Sequence, residues 1–199
     1  LCYNTYSPPA LVPRATHDQI AMQREIKPFL EHVKYMFPDD AGRKLFMDWI
    51  TITVQQPHIR PMWAPVLITN KHGVGKGWFA QLLCKLAGDS NFQQITRDEL
   101  DGSTAFNEFL ADSTVVVVDE IHAPGRTDIV NRLHAMITEP KLEVNRKYGQ
   151  KGKVDVYANF ILFSNYTDAI SIDGNDRRFW VHNFRGNPRS PDYYQTLYN

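Results

Sequence analysis

The chain has 199 residues, 43% apolar and 22% charged, which is enough for one sizeable α/β domain with a packed core and excludes a disordered polypeptide. Its 22 Lys and Arg balance 22 Asp and Glu, so any affinity for nucleic acid has to come from a local cluster of cations and not from net charge. Cys2 and Cys84 form neither a disulfide framework nor a zinc spacing, and no apolar run approaches the roughly 20 residues of a membrane span.

These features read as a soluble, intracellular protein. The chain opens on Leu1, with Pro8, Pro9 and Pro13 close behind and no basic-then-apolar leader, and it reads as a piece of a longer polypeptide. Residues 1–16 are expected to form an extended lead-in. Residues 17–60 read as a helical segment. Ile20, Ile26, Phe29, Leu30, Val33 and Phe37 recur at spacings of three and four, with Pro28 expected to kink the helix or to start a second one. Asp39 and Asp40 then offer N-caps to a helix carrying Leu45, Phe46, Trp49 and Ile50.

From residue 61 to 199 the pattern changes to short apolar runs alternating with helices, the rhythm of a parallel sheet covered on both faces. Strands are predicted at 66–69, 92–96, 114–118, 160–163 and 179–184, and helices at 78–86, 105–110 and 129–137.

Directly after the first run comes Asn70-Lys71-His72-Gly73-Val74-Gly75-Lys76-Gly77, leading into a helix that opens with Trp78. Glycines in a strand-to-helix turn let successive amides point at phosphate oxygens, and the positive end of the helix dipole adds to that field. Lys76 would bridge the outer phosphates of ATP. The segment departs twice from the pattern G-x-x-x-x-G-K-S/T. Asn70 replaces the first glycine, a mild change because Asn tolerates a left-handed backbone. Gly77 replaces the hydroxyl residue that would ligate Mg²⁺, leaving water to take its place.

A second signal is Val115-Val116-Val117-Val118-Asp119-Glu120, a fully buried strand ending in two carboxylates. In parallel sheets the ligand crevice lies beyond the strand C-termini, so both acids are expected near the glycine loop. Asp119 would hold Mg²⁺ through its water shell, and Glu120 would accept a proton from an attacking water or orient it. A third segment, Lys141 to Val156, alternates Leu142 and Val144, then Val154 and Val156, around Gly149 and Gly152. Its turn carries Arg146, Lys147, Lys151 and Lys153 with Tyr148 among them. That composition suits single-stranded DNA, and equally an exposed hairpin that its lysines keep from pairing.

The order of these features resembles the superfamily 3 helicases, specifically the helicase-like domain of phage primase-polymerase and primase-helicase proteins. The resemblance covers most of the chain, from "FLEHVKYMFPDD" through Arg178, although only the motifs are strongly specific. It implies an AAA+-like P-loop NTPase: a central five-stranded parallel sheet flanked by helices, a basic β-hairpin insertion and a small N-terminal helical segment. It implies ATP and Mg²⁺ as cofactors and tips the hairpin toward DNA contact. It further makes Asn165, at the end of Phe160-Ile-Leu-Phe-Ser, a sensor of the γ-phosphate or the lytic water, though Asn165 could equally cap the next turn. It makes one of Arg177 and Arg178 an arginine finger acting on a neighbouring subunit. The match of "FWVHNF" to the family's strand favours Arg178, with its counterpart free to pair with Asp173 or Asp176. His122 reads as structural.

The expected function is therefore an ATP-dependent DNA helicase or translocase domain of a virus-encoded replication protein acting in the host cytoplasm. By family likeness it would form a ring, a hexamer, attached to an upstream primase or polymerase. The rival reading is a P-loop DNA-binding and oligomerisation module with weak or no ATPase. A small-molecule kinase is a more distant third.

Overall fold

Six-residue apolar runs such as Ala64–Thr69 and Asn159–Ser164 are buried along their whole length, which only a sheet covered on both faces permits. The computed structural model describes residues 6–10, 19–101, 107–147 and 149–198. Its strands β1 (Ala64–Thr69), β2 (Phe92–Ile95), β3 (Val115–Val118), β6 (Asn159–Ser164) and β7 (Phe179–Phe184) form one sheet in the order β2-β3-β6-β1-β7. Every pairing in it is parallel. All five predicted strands are present, each within two residues of the expected limits. Strands β4 (Lys141–Val144) and β5 (Gly152–Asp155) form a separate antiparallel hairpin between α6 (Thr127–Thr138) and β6.

Alternate residues of each strand face opposite layers. One layer packs Leu67, Val115, Val117, Ile161 and Phe163 against α1 (Gln19–Met36), α2 (Asp40–Gln55), α3 (Lys76–Ala87) and α7 (Pro191–Tyr198). The other packs Val66, Ile68, Val116, Val118, Phe160 and Leu162 against α4 (Arg97–Leu100), α5 (Phe109–Asp112), α6 and the apolar face of the hairpin. The N-terminal helices thus share a core with the sheet: Phe37, Phe46 and Trp49 are fully buried beside Phe79 of α3.

Two local expectations change. Pro28 neither ends nor divides α1, which runs as one helix across it. The helix predicted at 105–110 is the short α5, which begins only at Phe109; residues 105 and 106 lie outside the described residues. Most of the expected lead-in, 1–5 and 11–16, also lies outside them. The part that is described, 6–10, has no helix or strand, and Ser7 exchanges hydrogen bonds with Asn91 through both its N–H and its C=O. Asp39 caps α2 as expected, accepting from Gly42 N at 2.6 Å.

The layers are tied together by Arg60, in the connection from α2 to β1. Its guanidinium donates to the carbonyls of Met136, Ile137 and Glu139 at 2.5, 2.7 and 2.7 Å, closing the C-terminus of α6. Charge-assisted bonds to otherwise orphaned helix carbonyls are among the strong ones. Arg60→Ala should therefore cost about 2–4 kcal/mol in denaturant unfolding, with Arg60→Lys recovering less than half, since an ammonium cannot span three carbonyls as the planar fork does.

Candidate functional site: the carboxyl edge of the sheet

Because β3, β6 and β1 are parallel neighbours, their C-terminal ends lie side by side. They deliver Asp119, Asn165 and the Asn70 loop to one edge, the position where ligands bind in such sheets. The Asn70–Gly77 loop then turns into α3. Gly73 and Gly75 both have positive φ, +73° and +93°, a conformation that L side chains resist. Asn70, Lys71, His72, Gly73 and Gly77 are exposed, whereas Val74, Gly75, Lys76 and Trp78 are buried. A Cβ placed on Gly73 or Gly77 would meet nothing within 4 Å, so the loop faces open space. Of the first amides of α3, that of Trp78 already bonds to the Gly75 carbonyl at 3.2 Å; those of Lys76 and Gly77, with the helix dipole, are the ones suited to an anion. These features fit a phosphate chain.

Lys76 is folded back over the sheet and is only 9% exposed. Its Nζ donates to Asn165 Oδ1 at 3.0 Å and lies 5.9 Å from the centre of the Phe163 ring. Thr69 Oγ1 donates to the same oxygen at 3.0 Å. With Oδ1 accepting twice, the amide of Asn165 turns its Nδ2 toward His72 Nδ1, 3.5 Å away. Asp119 accepts from Gln94 Nε2 at 2.7 Å through one oxygen and from Glu120 N–H at 2.9 Å through the other. Glu120 is exposed and holds φ at +50°, a left-handed turn that carries the chain off the strand. Burial lowers the Lys76 pKa to about 8, while the charges of Asp119 and Glu120 act in the opposite direction.

The edge therefore gathers Lys76, Asp119, Glu120, Asn165 and His72. Lys71 is held aside by a hydrogen bond to Asn187 Oδ1. For a divalent cation the protein supplies little: among the described residues no group of three or more His, Cys, Asp or Glu could hold a metal, and Gly77 brings no hydroxyl. Such an ion fits only if phosphate and water fill most of its shell, which suits Mg²⁺.

The other predicted residues lie elsewhere. The hairpin rises from the opposite edge, since Val156 and Ala158 lead into the start of β6. Lys147, Lys151 and Lys153 are exposed on it, and Tyr148 lies outside the described residues. Arg146 does not join a free cationic tip. Its guanidinium is bound by both oxygens of Asp112 at 2.8 and 3.0 Å, which fastens the hairpin to α5. Arg177 and Arg178 also sit at that opposite edge, where Arg178 O accepts from Ala64 N at the start of β1. Six strand residues, Ala64–Thr69, separate them from the loop of the same chain, roughly 20 Å. The aspartate pairing left to the counterpart is made by Arg178 itself, with Asp176 Oδ1 at 3.4 Å, while Arg177 is exposed. His122 stacks on Tyr166 with ring centres 4.0 Å apart.

Sequence reasoning missed Thr69 and Gln94, which hold Asn165 and Asp119, and His32, which touches the loop from α1. Thr69 and Gln94 each stand at or beside the end of a strand, a position that could have flagged them; His32 had no such signal.

A sequence-family profile described as a family of unknown function, DUF5906, matches residues 67–178. The chain belongs to this family. The DUF5906 match begins in β1 and ends at Arg178, so it encloses both sheet edges just described. The chain is 32% identical over 147 residues to a DNA primase-polymerase of Nitratiruptor phage NrS-1, covering 72% of this chain and 20% of that protein. It superposes on the apo C-terminal region (305–718) of NrS-1 with a TM-score of 0.74 at 26% identity, covering 97% of this chain and 45% of that one. A JCV helicase structure matches with a TM-score of 0.50 at 14% identity, over 83% of this chain and 46% of that one, a likeness of fold alone. This DUF5906 chain thus shares its α/β fold with the NrS-1 C-terminal region, and it spans a fifth of the curated relative and under half of the solved region. No helix among its described residues is long and apolar enough to cross a membrane.

Burying an ammonium is a cost that binding sites commonly carry. The folded pKa of Lys76, about 8, lies below the ordinary lysine value of 10.5, so between those values the unfolded chain holds more protons and stability rises with pH. Lys76→Met should therefore raise unfolding stability at pH 7 by roughly 1–2 kcal/mol, allowing for solvent screening. Equilibrium unfolding measured from pH 7 to 10.5 should find that gain shrinking toward zero.

Proposed function

We propose that this domain binds ATP at the carboxyl edge of its sheet and hydrolyses it as the motor of a phage-type replication protein, moving single-stranded DNA through a ring of subunits. One observation carries the reading: a buried lysine amine, at the start of a helix entered through two left-handed glycines, bonded to the asparagine that ends the neighbouring strand, with an acidic pair ending the next. The identity to a phage primase-polymerase supports placing the domain beside a primase or polymerase module.

Lys76 and the first amides of α3 would hold the β- and γ-phosphates, with Asn70, Lys71, His72, Gly73, Val74, Gly75, Gly77 and Trp78 forming the loop and its helical support. Bound Mg²⁺ would neutralise charge on the outer phosphates, with Asp119 holding its water shell. Glu120, exposed beside Lys76, would take the proton of the attacking water, and Asn165 would orient that water. Arg177 and Arg178 are too far along the strands to serve their own loop. They would act on a nucleotide held by the adjoining subunit, and Arg177 has the freer reach. Lys147, Lys151 and Lys153 would follow the DNA backbone, with Tyr148 beside them and Arg146 anchoring the hairpin. Gly77 and the sparse metal ligands favour one alternative: a nucleotide-binding, DNA-binding and oligomerisation module with little turnover.

Steady-state phosphate release with and without single-stranded DNA decides between them. Wild type should show DNA-stimulated turnover, Lys76→Ala should lose nucleotide binding, and Glu120→Gln should keep binding while turnover falls by about 10²-fold or more. If an assembled wild-type ring binds ATP without DNA-stimulated turnover, the module reading replaces the motor.

The hairpin is tested separately. Each phosphate neutralised on a single strand contributes about 0.7 to the slope of log affinity against log salt. Lys151→Ala combined with Lys153→Ala should flatten that slope by roughly 1.4 in fluorescence-anisotropy titrations. An unchanged slope would return these lysines to the role of keeping an exposed hairpin soluble.

A further inference from the structure

His32 is a fully buried polar residue on α1, 43 positions before the glycine it touches. Its Nε2 lies 3.2 Å from the Gly75 carbonyl oxygen and its Nδ1 lies 3.0 Å from the Tyr193 hydroxyl on α7. A carbonyl only accepts, so Nε2 carries the proton and Nδ1 accepts from the Tyr193 O–H. The ring is locked in place by Trp78 and Phe79 of α3 and by Tyr35, with ring centres 5.3, 5.2 and 5.7 Å away. Burial drives its pKa down to about 4, the bond to Gly75 opposing and the charge of Arg189 assisting, so the ring is neutral at ordinary pH and keeps this single-donor arrangement.

The atom that His32 holds matters because of peptide planarity. The Gly75 carbonyl and the Lys76 N–H belong to one trans peptide unit and point in opposite directions. Drawing the carbonyl toward His32, on the helical layer, turns the Lys76 N–H outward, away from that layer. The same carbonyl accepts from Trp78 N at 3.2 Å, so the first turn of α3 and His32 grip one oxygen together. Gly75 has no alternative at this position. It sits at φ +93°, and a Cβ there would lie 2.4 Å from His32 Cε1.

We propose that His32 is a positioning residue for the phosphate loop, one that fixes the peptide plane between Gly75 and Lys76 so that the Lys76 amide faces the phosphates of the bound nucleotide. Tyr193 is its orienting partner: by donating to Nδ1 it keeps the proton on Nε2. The C-terminal helix and the N-terminal helix thereby set the shape of an anion site to which neither contributes a ligand. This rests on the nucleotide-binding reading above.

The test is an equilibrium titration of the intact chain with a fluorescent ATP analogue at 10 °C, with folding of each variant checked by circular dichroism. Wild type is compared with Lys76→Ala, His32→Phe and His32→Gln. His32→Phe retains a ring among the aromatics and loses both hydrogen bonds, and its affinity should fall about tenfold. His32→Gln can still donate to the Gly75 carbonyl and should recover most of that loss, which a purely structural role would not require. Wild-type affinity in the Phe variant, or a loss that Gln leaves unrestored, overturns the proposal. Failure of wild type itself to bind the analogue refutes the nucleotide reading and this inference with it, a distinct outcome. Should the His32 variants not fold, Tyr193→Phe removes one hydroxyl and should weaken binding about threefold; unchanged affinity there counts against the proposal. Long-range ¹H–¹⁵N correlation of the free wild-type chain must also find His32 protonated on Nε2, and a proton on Nδ1 would sink it.

Discussion

The arrangement depends on keeping an ammonium group out of water at the carboxyl edge of a parallel sheet. Desolvation opposes a buried charge by several kcal/mol, and such a charge persists only where hydrogen bonds and opposite charges offset the cost. At Lys76 the offset is divided. Asn165 supplies a neutral acceptor at 3.0 Å, while Asp119 and Glu120 act at longer range without closing an ion pair. The amine is held in place but not neutralised, and a cation left in that condition is complementary to an added anion. A direct carboxylate partner would have made a more stable protein with a quenched site.

The sheet also separates two kinds of chemistry. Its carboxyl edge carries the glycine loop, the acids and Asn165, and its amino edge carries the hairpin and the arginine pair. Parallel pairing imposes that division, because every strand delivers its start to one edge and its end to the other. A residue on the amino edge cannot reach the loop of its own chain, whereas a second copy set beside the first could bring the two edges together. The pairing of Arg146 with Asp112 fits the same economy: the apolar face of the hairpin enters the core from Val156 at its base to Val144 at its turn end, while Lys147, Lys151 and Lys153 stay exposed.

Elements far apart in the chain meet over the glycine loop. Lys71 at its beginning bonds to Asn187, Tyr35 donates to the Asn187 carbonyl, and Arg189 stacks 4.7 Å from the Tyr35 ring centre. At the loop's other end His32 links Gly75 to Tyr193. The loop is therefore spanned on one side by α1 and the segment leading into α7. Its conformation responds to how those two elements pack, whatever happens within the sheet.

Much of the edge was legible in the residues alone. Four consecutive valines followed by two acids define a buried strand and its exit, and a glycine-bearing turn between strand and helix marks the loop that meets them at that edge, because both signals are local. The five strands followed from the periodicity of the apolar runs. What the chain order could not express were contacts set by packing over long separations: His32 against Gly75, Thr69 beside Asn165, and Arg146 claimed by Asp112. A lone histidine in an amphipathic helix carries no sign of what will cover it. Pattern determined which elements exist and which edge gathers the chemistry; only the tertiary structure decided which polar groups are already partnered, because that depends on the distances between layers and not on spacing along the chain.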